Sequence, residues 1–176
     1  MAQSFDRNVD PVLDPSDWVQ LWASLIRARG RVLDLAAGHG RHARALAAQG
    51  FAVTAVDLDV SGLAGVPFEV IAADLEAGPW PFVARSFDAI VITNYLHRPH
   101  FAHLVDALAV GGVLIFETFA VGNEKFGRPR NPAFLLAQGE LLAAFAPHLR
   151  IVAYEHGAEQ KPRPAMRQRL CAVKEH

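Results

Sequence analysis

A chain of 176 residues with one cysteine, Cys171, has no disulfide framework to brace it, and a reducing cytoplasm is the expected setting. Nor does either sign of charge prevail. Lys+Arg 17 against Asp+Glu 18 leaves a formal charge of -1, which supplies no field to gather polyanions and makes nucleic acid an unexpected partner. The apolar stretches are all cut by charge, Gly or Pro before the roughly 18 residues needed to cross a bilayer. Residues 6–17 are acidic, without the basic and then apolar order of a secretion signal. No repeat is present. What the sequence does have is a hydrophobic fraction of 52%, ample for the core of a single domain spanning residues 1–176.

Within that length, apolar strands alternate with helical spacing. After a polar lead-in over residues 1–15, Asp14-Pro15 offers a cap and a helix-starting proline, and Trp18, Leu21, Trp22, Leu25 and Ile26 mark a helix over residues 16–29 ending before Gly30. The two tryptophans on one stripe read as core. Strands are expected at Arg31–Leu35, 52–56, 68–72, Phe87–Thr93, 113–119, 149–154 and 168–173, and helices at 41–49, from Phe101 to Leu108, and around Leu141 and Phe145. Such alternation predicts a three-layer α/β sandwich, because parallel neighbours need right-handed crossovers that cover both sheet faces. Residues 155–167, with Pro162 and Pro164, leave no room for a crossover helix, so an antiparallel excursion at the sheet edge is expected there.

The chemistry concentrates at the carboxyl ends of these strands. Val32-Leu33-Asp34-Leu35-Ala36-Ala37-Gly38-His39-Gly40-Arg41 places two glycines where a buried strand gives way to a helix, the turn that borders a nucleotide in open parallel sheets. With Ala43 three positions after Gly40, a dinucleotide fingerprint is present only in its variant form. Asp57, followed by Leu58, stands at the next strand tip, where an acid accepts from both hydroxyls of an adenosine ribose. NAD and S-adenosylmethionine both meet that requirement. The following tip ends in Asp74-Leu75, an acid able to accept from an adenine amino group beside an apolar residue able to cover the ring, a pairing that favours the adenosyl-methionine.

Through residues 32–40, 53–57, 72–75, 87–93 and 111–119, in that order and spacing, the sequence resembles the class I S-adenosylmethionine-dependent methyltransferases, and residues 122–132 are also similar to the small tellurite-resistance-like bacterial methyltransferases. The resemblance covers roughly residues 30–120 and implies a Rossmann-like, mainly parallel seven-stranded sheet whose last strand runs antiparallel. It further implies that Asp34 and the turn at Ala36, Gly38 and Gly40 hold the methionine portion of the donor, Asp57 the ribose, and Asp74 with Leu75 the adenine, with Leu58 also among the cofactor-binding residues. Asn94 and Tyr95 would line the reaction centre. The family often has glycine where this chain has Ala36. Asn94-Tyr95-Leu96-His97 stands where amino methyltransferases of DNA carry Asn-Pro-Pro-Tyr, which disfavours that substrate.

The implied function is methyl transfer to a small-molecule nucleophile, with Tyr95 and His97 the catalytic candidates. His97 can serve as a base for an amine, thiol or hydroxyl, or only position an acceptor that is already anionic. Asp34 can bind the donor, brace its own turn, or both. Residues 120–138, long for a structureless connection, read as a lid, and Lys125, Arg128 and Arg130 on it either meet an anionic acceptor or form a solvated loop. His97, His100 and His103 are spaced by three but lack an accompanying Cys or carboxylate set, so no metal is expected and a polar helix face is the default. A non-catalytic adenosyl-binding module and an NAD-dependent oxidoreductase are the rival functions. Oligomeric state is unreadable from these patterns.

Overall fold

A computed structural model describes residues 14–176; most of the lead-in expected over residues 1–15 lies outside the described residues. The chain runs α1 (Asp17–Trp22), β1 (Arg31–Leu35), α2 (Arg41–Ala48), β2 (Ala52–Asp57), β3 (Glu69–Ala72), β4 (Phe87–Thr93), α3 (Phe101–Ala107), β5 (Leu108–Phe119), α4 (Glu140–Phe145), β6 (Arg150–Glu159) and β7 (Ala165–Val173). These strands form one seven-stranded sheet in the order β3-β2-β1-β4-β5-β7-β6. The pairs β1–β2, β2–β3, β1–β4 and β4–β5 are parallel, and β7 is antiparallel to both neighbours. None of the helices among the described residues is long and apolar enough to cross a membrane.

Strand alternation feeds two cores. Val32, Val53, Ala55, Ala89, Val91, Val113 and Ile115 face α1 and α2, meeting Trp18, Val19, Ala43 and Leu46. Leu33, Leu35, Val56, Ile90, Ile92, Leu114 and Phe116 face the other way, toward Leu104 on α3 and Leu141 and Phe145 on α4. Since every one of these side chains is nearly or fully buried, the sheet is covered on both sides, as parallel strands require. Because β2 and β4 flank β1, the chain reverses its direction of travel there, and the carboxyl ends of β1 and β4 are where an open sheet of this kind places its ligand crevice.

Several boundaries differ from the sequence pattern. The first helix is shorter: α1 passes into a 3₁₀ turn at Ala23–Leu25, and Ile26 is already extended, while the Ser24 hydroxyl donates to the Leu21 carbonyl at 2.9 Å in competition with the helical ladder. The fifth strand starts five residues earlier, at Leu108, pairing with Phe87 across a register shift. At the far edge, β6 and β7 form the expected antiparallel hairpin, but its connection is only residues 160–164, so β6 ends five residues later and β7 starts three residues earlier than the pattern, with β7 taking the place between β5 and β6.

Candidate active site

The turn after β1 is built from left-handed backbone. Ala36, Gly38 and Gly40 have φ of 57°, 56° and 74°. Glycine is favoured at position 40 by its left-handed backbone, and a Cβ there would also lie 2.4 Å from Leu63 Cδ2, so that side chain would have to give way. Gly38 is exposed, and a Cβ on it would meet nothing within 4 Å, so this stretch of main chain borders open space. Asp34 lies beneath, 1% exposed, its Oδ2 accepting from Ala43 N–H at 2.9 Å. Burial pushes its carboxyl up to about 7, against the opposing pull of the Ala43 amide and the Arg41 charge. Asp34 therefore braces the helix entry whatever else it does.

Asp57 ties the tips of β1 and β2 together: Oδ2 accepts from Gly38 N–H at 2.8 Å and Oδ1 from Asp59 N–H at 3.1 Å. A carboxylate has about four acceptor sites, so two remain. Leu58 beside it is 56% exposed, whereas Leu75 beyond the next tip is buried. Asp74 is exposed and caps its own turn, Oδ1 accepting from Glu76 and Ala77 N–H at 2.9 Å each, and those bonds hold its carboxyl below the usual range.

Beyond β4, Asn94 also has positive φ, 55°, and its N–H donates to the Glu117 carbonyl at 3.0 Å. Tyr95 is 9% exposed, and its hydroxyl is buried without a hydrogen-bond partner. Burial, then the charges of Glu76, Asp74 and Asp57, raise the phenol well above its ordinary range, so it stays protonated and is no base. His97 is half-buried with its ring centroid 4.5 Å from that of His100. His100 is not on a polar helix face: it is buried, Nε2–H donates to the Leu75 carbonyl at 2.6 Å, and Trp80 lies against it and stacks on His103. Among the described residues no group of three His, Cys, Asp or Glu side chains is arranged to hold a metal.

On the other flank of Asn94 lies a charged network that the sequence pattern did not single out. Arg167 Nη1 donates to Asn94 Oδ1 at 2.5 Å, Nε pairs with Glu159, and the guanidinium sits 4.3 Å over the ring of its cross-strand partner Phe119. Glu117, 4% exposed, meets its own cross-strand partner Arg169 at 3.0 Å. Although burial pushes the Glu117 carboxyl up, Ser16, Arg167 and Arg169 together hold it below its usual value. Burial lowers the guanidinium pKa of Arg41, which lies within electrostatic reach of Glu117, Arg167 and Asp34. His42 is pinned between Ser16 N–H, which donates to Nε2 at 3.2 Å, and Thr93 Oγ1, 3.3 Å from Nδ1. Burial lowers its pKa to about 4, so the ring is neutral and Nδ1 carries the hydrogen. A charge interrupting the apolar run of β5 was the legible signal for Glu117. Arg167 gave none, because its partners come from distant strands.

Residues 120–138 are anchored at both ends. Leu136 N–H donates to Phe119 O and Val121 N–H to Leu136 O, both at 3.0 Å, and buried Asn123 bonds Pro129 O and Met166 N–H. Arg98, just past His97, donates to the carbonyls of Ala133 and Leu135 at 2.8 and 2.9 Å and to both oxygens of Glu140. Lys125, Arg128 and Arg130 lie on the exposed stretch between these anchors.

Solved structures with this architecture include TehB from Haemophilus influenzae, with TM-score 0.74, 19% identity and coverage of 89% of this chain; this chain spans 61% of that protein's length. A TehB-like SAM-dependent methyltransferase from Corynebacterium glutamicum aligns with TM-score 0.62 and 18% identity over 90% of this chain and 87% of its own. The glycopeptide N-methyltransferase MtfA, complexed with S-adenosyl-L-homocysteine, gives 0.64 and 19% over 98% and 94%. No curated protein sequence matches this one. The profile of the methyltransferase domain family, however, matches residues 5–158, most of the chain, and the chain belongs to that family.

Proposed function

We propose that this protein transfers the methyl group of S-adenosylmethionine to a small-molecule nucleophile. The observation that carries the reading is Asp57. Its carboxylate is locked between the glycine turn and its own loop, yet retains acceptor capacity at the carboxyl end of β2, next to that turn. Gly38 presents bare main chain beside it, and Asp74 with Leu75 follows at the next tip. Ala36, Gly38 and Gly40 with Asp34 hold the methionine arm in this reading, Asp57 and Leu58 the ribose, and Asp74 and Leu75 the adenine, with Asn94 at the reaction centre. When bound, the donor supplies an electrophilic methyl on a sulfonium that is its own leaving group.

The remaining work is alignment, which can supply roughly 7–11 kcal/mol of barrier reduction. Arg167 holds the Asn94 amide in place, and a phenol that stays protonated does not serve as the base. His97, beside Arg98 and the anchored loop, takes the acceptor side as a positioning residue, and Lys125, Arg128 and Arg130 complete a lid over residues 120–138. One domain spans residues 1–176 in this reading. Calorimetric titration of S-adenosylhomocysteine against NAD tests the donor. Labelled methyl transfer to thiols, amines, carboxylates, halides, oxyanions of selenium and tellurium, and RNA then identifies the acceptor. Binding of NAD in place of S-adenosylhomocysteine would replace this reading with an oxidoreductase, and tight binding with no transfer to any class would replace it with a binding module.

A further inference from the structure

Two buried side-chain polar atoms among the described residues have no hydrogen-bond partner: Trp22 Nε1 and the hydroxyl of Tyr95. Buried hydroxyls are nearly always bonded, because losing water without a replacement is unfavourable, and an exception points to an atom that something else satisfies. Tyr95 stands two residues past the end of β4, packed in the core cluster with Leu35, Leu75 and Leu96. The acids within its electrostatic reach are Asp57 and Asp74 at the tips of β2 and β3, together with Glu76. The hydroxyl thus lies toward the tips of β2 and β3, on the side of β4 opposite the Arg167–Glu117 network.

That placement has a chemical complement. A carboxylate such as those at positions 57 and 74 can only accept hydrogen bonds, whereas a nucleoside presents acceptors as well as donors: ring nitrogens and ribose oxygens. We infer that the Tyr95 hydroxyl reads the nucleoside part of the donor, giving a hydrogen bond to an adenosine acceptor that the neighbouring carboxylates cannot give. This rests on the donor reading above and makes Tyr95 a specificity-determining residue for the cofactor rather than a group at the acceptor.

The test is Tyr95→Phe, measured by calorimetry with S-adenosylhomocysteine and with 5′-methylthioadenosine, which lacks the amino-acid arm. Affinity for both ligands should fall by a similar factor, about 3- to 10-fold for one hydrogen bond. The melting temperature of the free variant should meanwhile stay level or rise, because an unsatisfied buried hydroxyl has been removed; a purely structural hydroxyl would move it down. Unchanged affinity for both ligands overturns the inference alone, as does a loss confined to S-adenosylhomocysteine, which would put the hydroxyl on the methionine side. Failure of the unmodified protein to bind either ligand overturns the donor reading and this inference together.

Discussion

The main-chain N–H of Gly38 donates to Oδ2 of Asp57 across 2.8 Å, so the turn after β1 and the tip of β2 are one unit rather than two neighbouring features. An Asp57 variant therefore loses its own ligand bonds and also the restraint on the turn. Asp57→Ala should weaken S-adenosylhomocysteine binding by about 1.5–3 kcal/mol, the cost of losing hydrogen bonds to a charged group. Asp74→Ala should cost less, because that carboxylate is exposed and one of its oxygens is engaged in its own turn. Calorimetry on both variants checks the order; equal affinity in all three proteins would remove the adenosine assignment.

Ala36 occupies left-handed backbone at φ 57° where the resembling family often has glycine. An L-residue there is strained by roughly 1–2 kcal/mol, while a glycine adds roughly 0.4–1 kcal/mol of unfolded-state entropy to overcome. Ala36→Gly should therefore be neutral to stabilising, by up to about 1.6 kcal/mol, or a few degrees in Tm at this size. Thermal melts decide it, and a clear loss of stability would mean the Ala36 methyl contributes packing that outweighs the strain.

These two positions also show what sequence can carry. The β1–turn–α2 unit is local, so glycines, a buried acid and a helix start within ten residues predict it well, and the strand pattern sets the parallel order. Long-range partners are another matter. Arg167 meets Asn94 across 73 residues, and His100 is drawn inside by the Leu75 carbonyl 25 residues upstream and by Trp80. Nothing in the local pattern at either residue encodes such a partner. The insertion of β7 between β5 and β6 was hidden for the same reason: a hairpin fixes antiparallel pairing but not which of its strands takes the edge.

The loop over residues 120–138 should move only in its middle. The bonds at Val121, Asn123, Gly127 and Leu136, with Arg98 holding Ala133 and Leu135, predict slow amide exchange at both ends and fast exchange at Arg130 and Asn131 in the free protein. S-adenosylhomocysteine should slow the middle, as a closing lid would. Arg98→Ala should speed exchange over residues 133–140 without touching β1. Uniform protection before ligand, unchanged after it, contradicts the lid.

Stability against pH isolates the two buried titrating groups beside the turn. Asp34, raised from 3.8 to about 7 by burial, keeps its proton in the folded state where the unfolded chain has lost it. By itself it makes stability fall as pH rises through that window. His42 does the opposite: lowered from 6.5 to about 4, chiefly by burial, it is neutral when folded and protonated when unfolded, so stability rises with pH between those values. Each slope is about 1.4 kcal/mol per pH unit at most, and between roughly pH 4 and 6.5 the two oppose each other and leave their joint contribution nearly flat. Single substitutions should unmask them. Relative to the unmodified protein, denaturant unfolding of Asp34→Asn should gain stability progressively as pH rises from 4 to 7, and His42→Gln should lose it progressively from 4 to 6.5. All other titrating groups are shared, so they cancel in these differences. Difference curves that stay level with pH would show that neither group is held in the protonation state its burial dictates, and the neutral His42 between Ser16 and Thr93 would have to be redrawn as a cation.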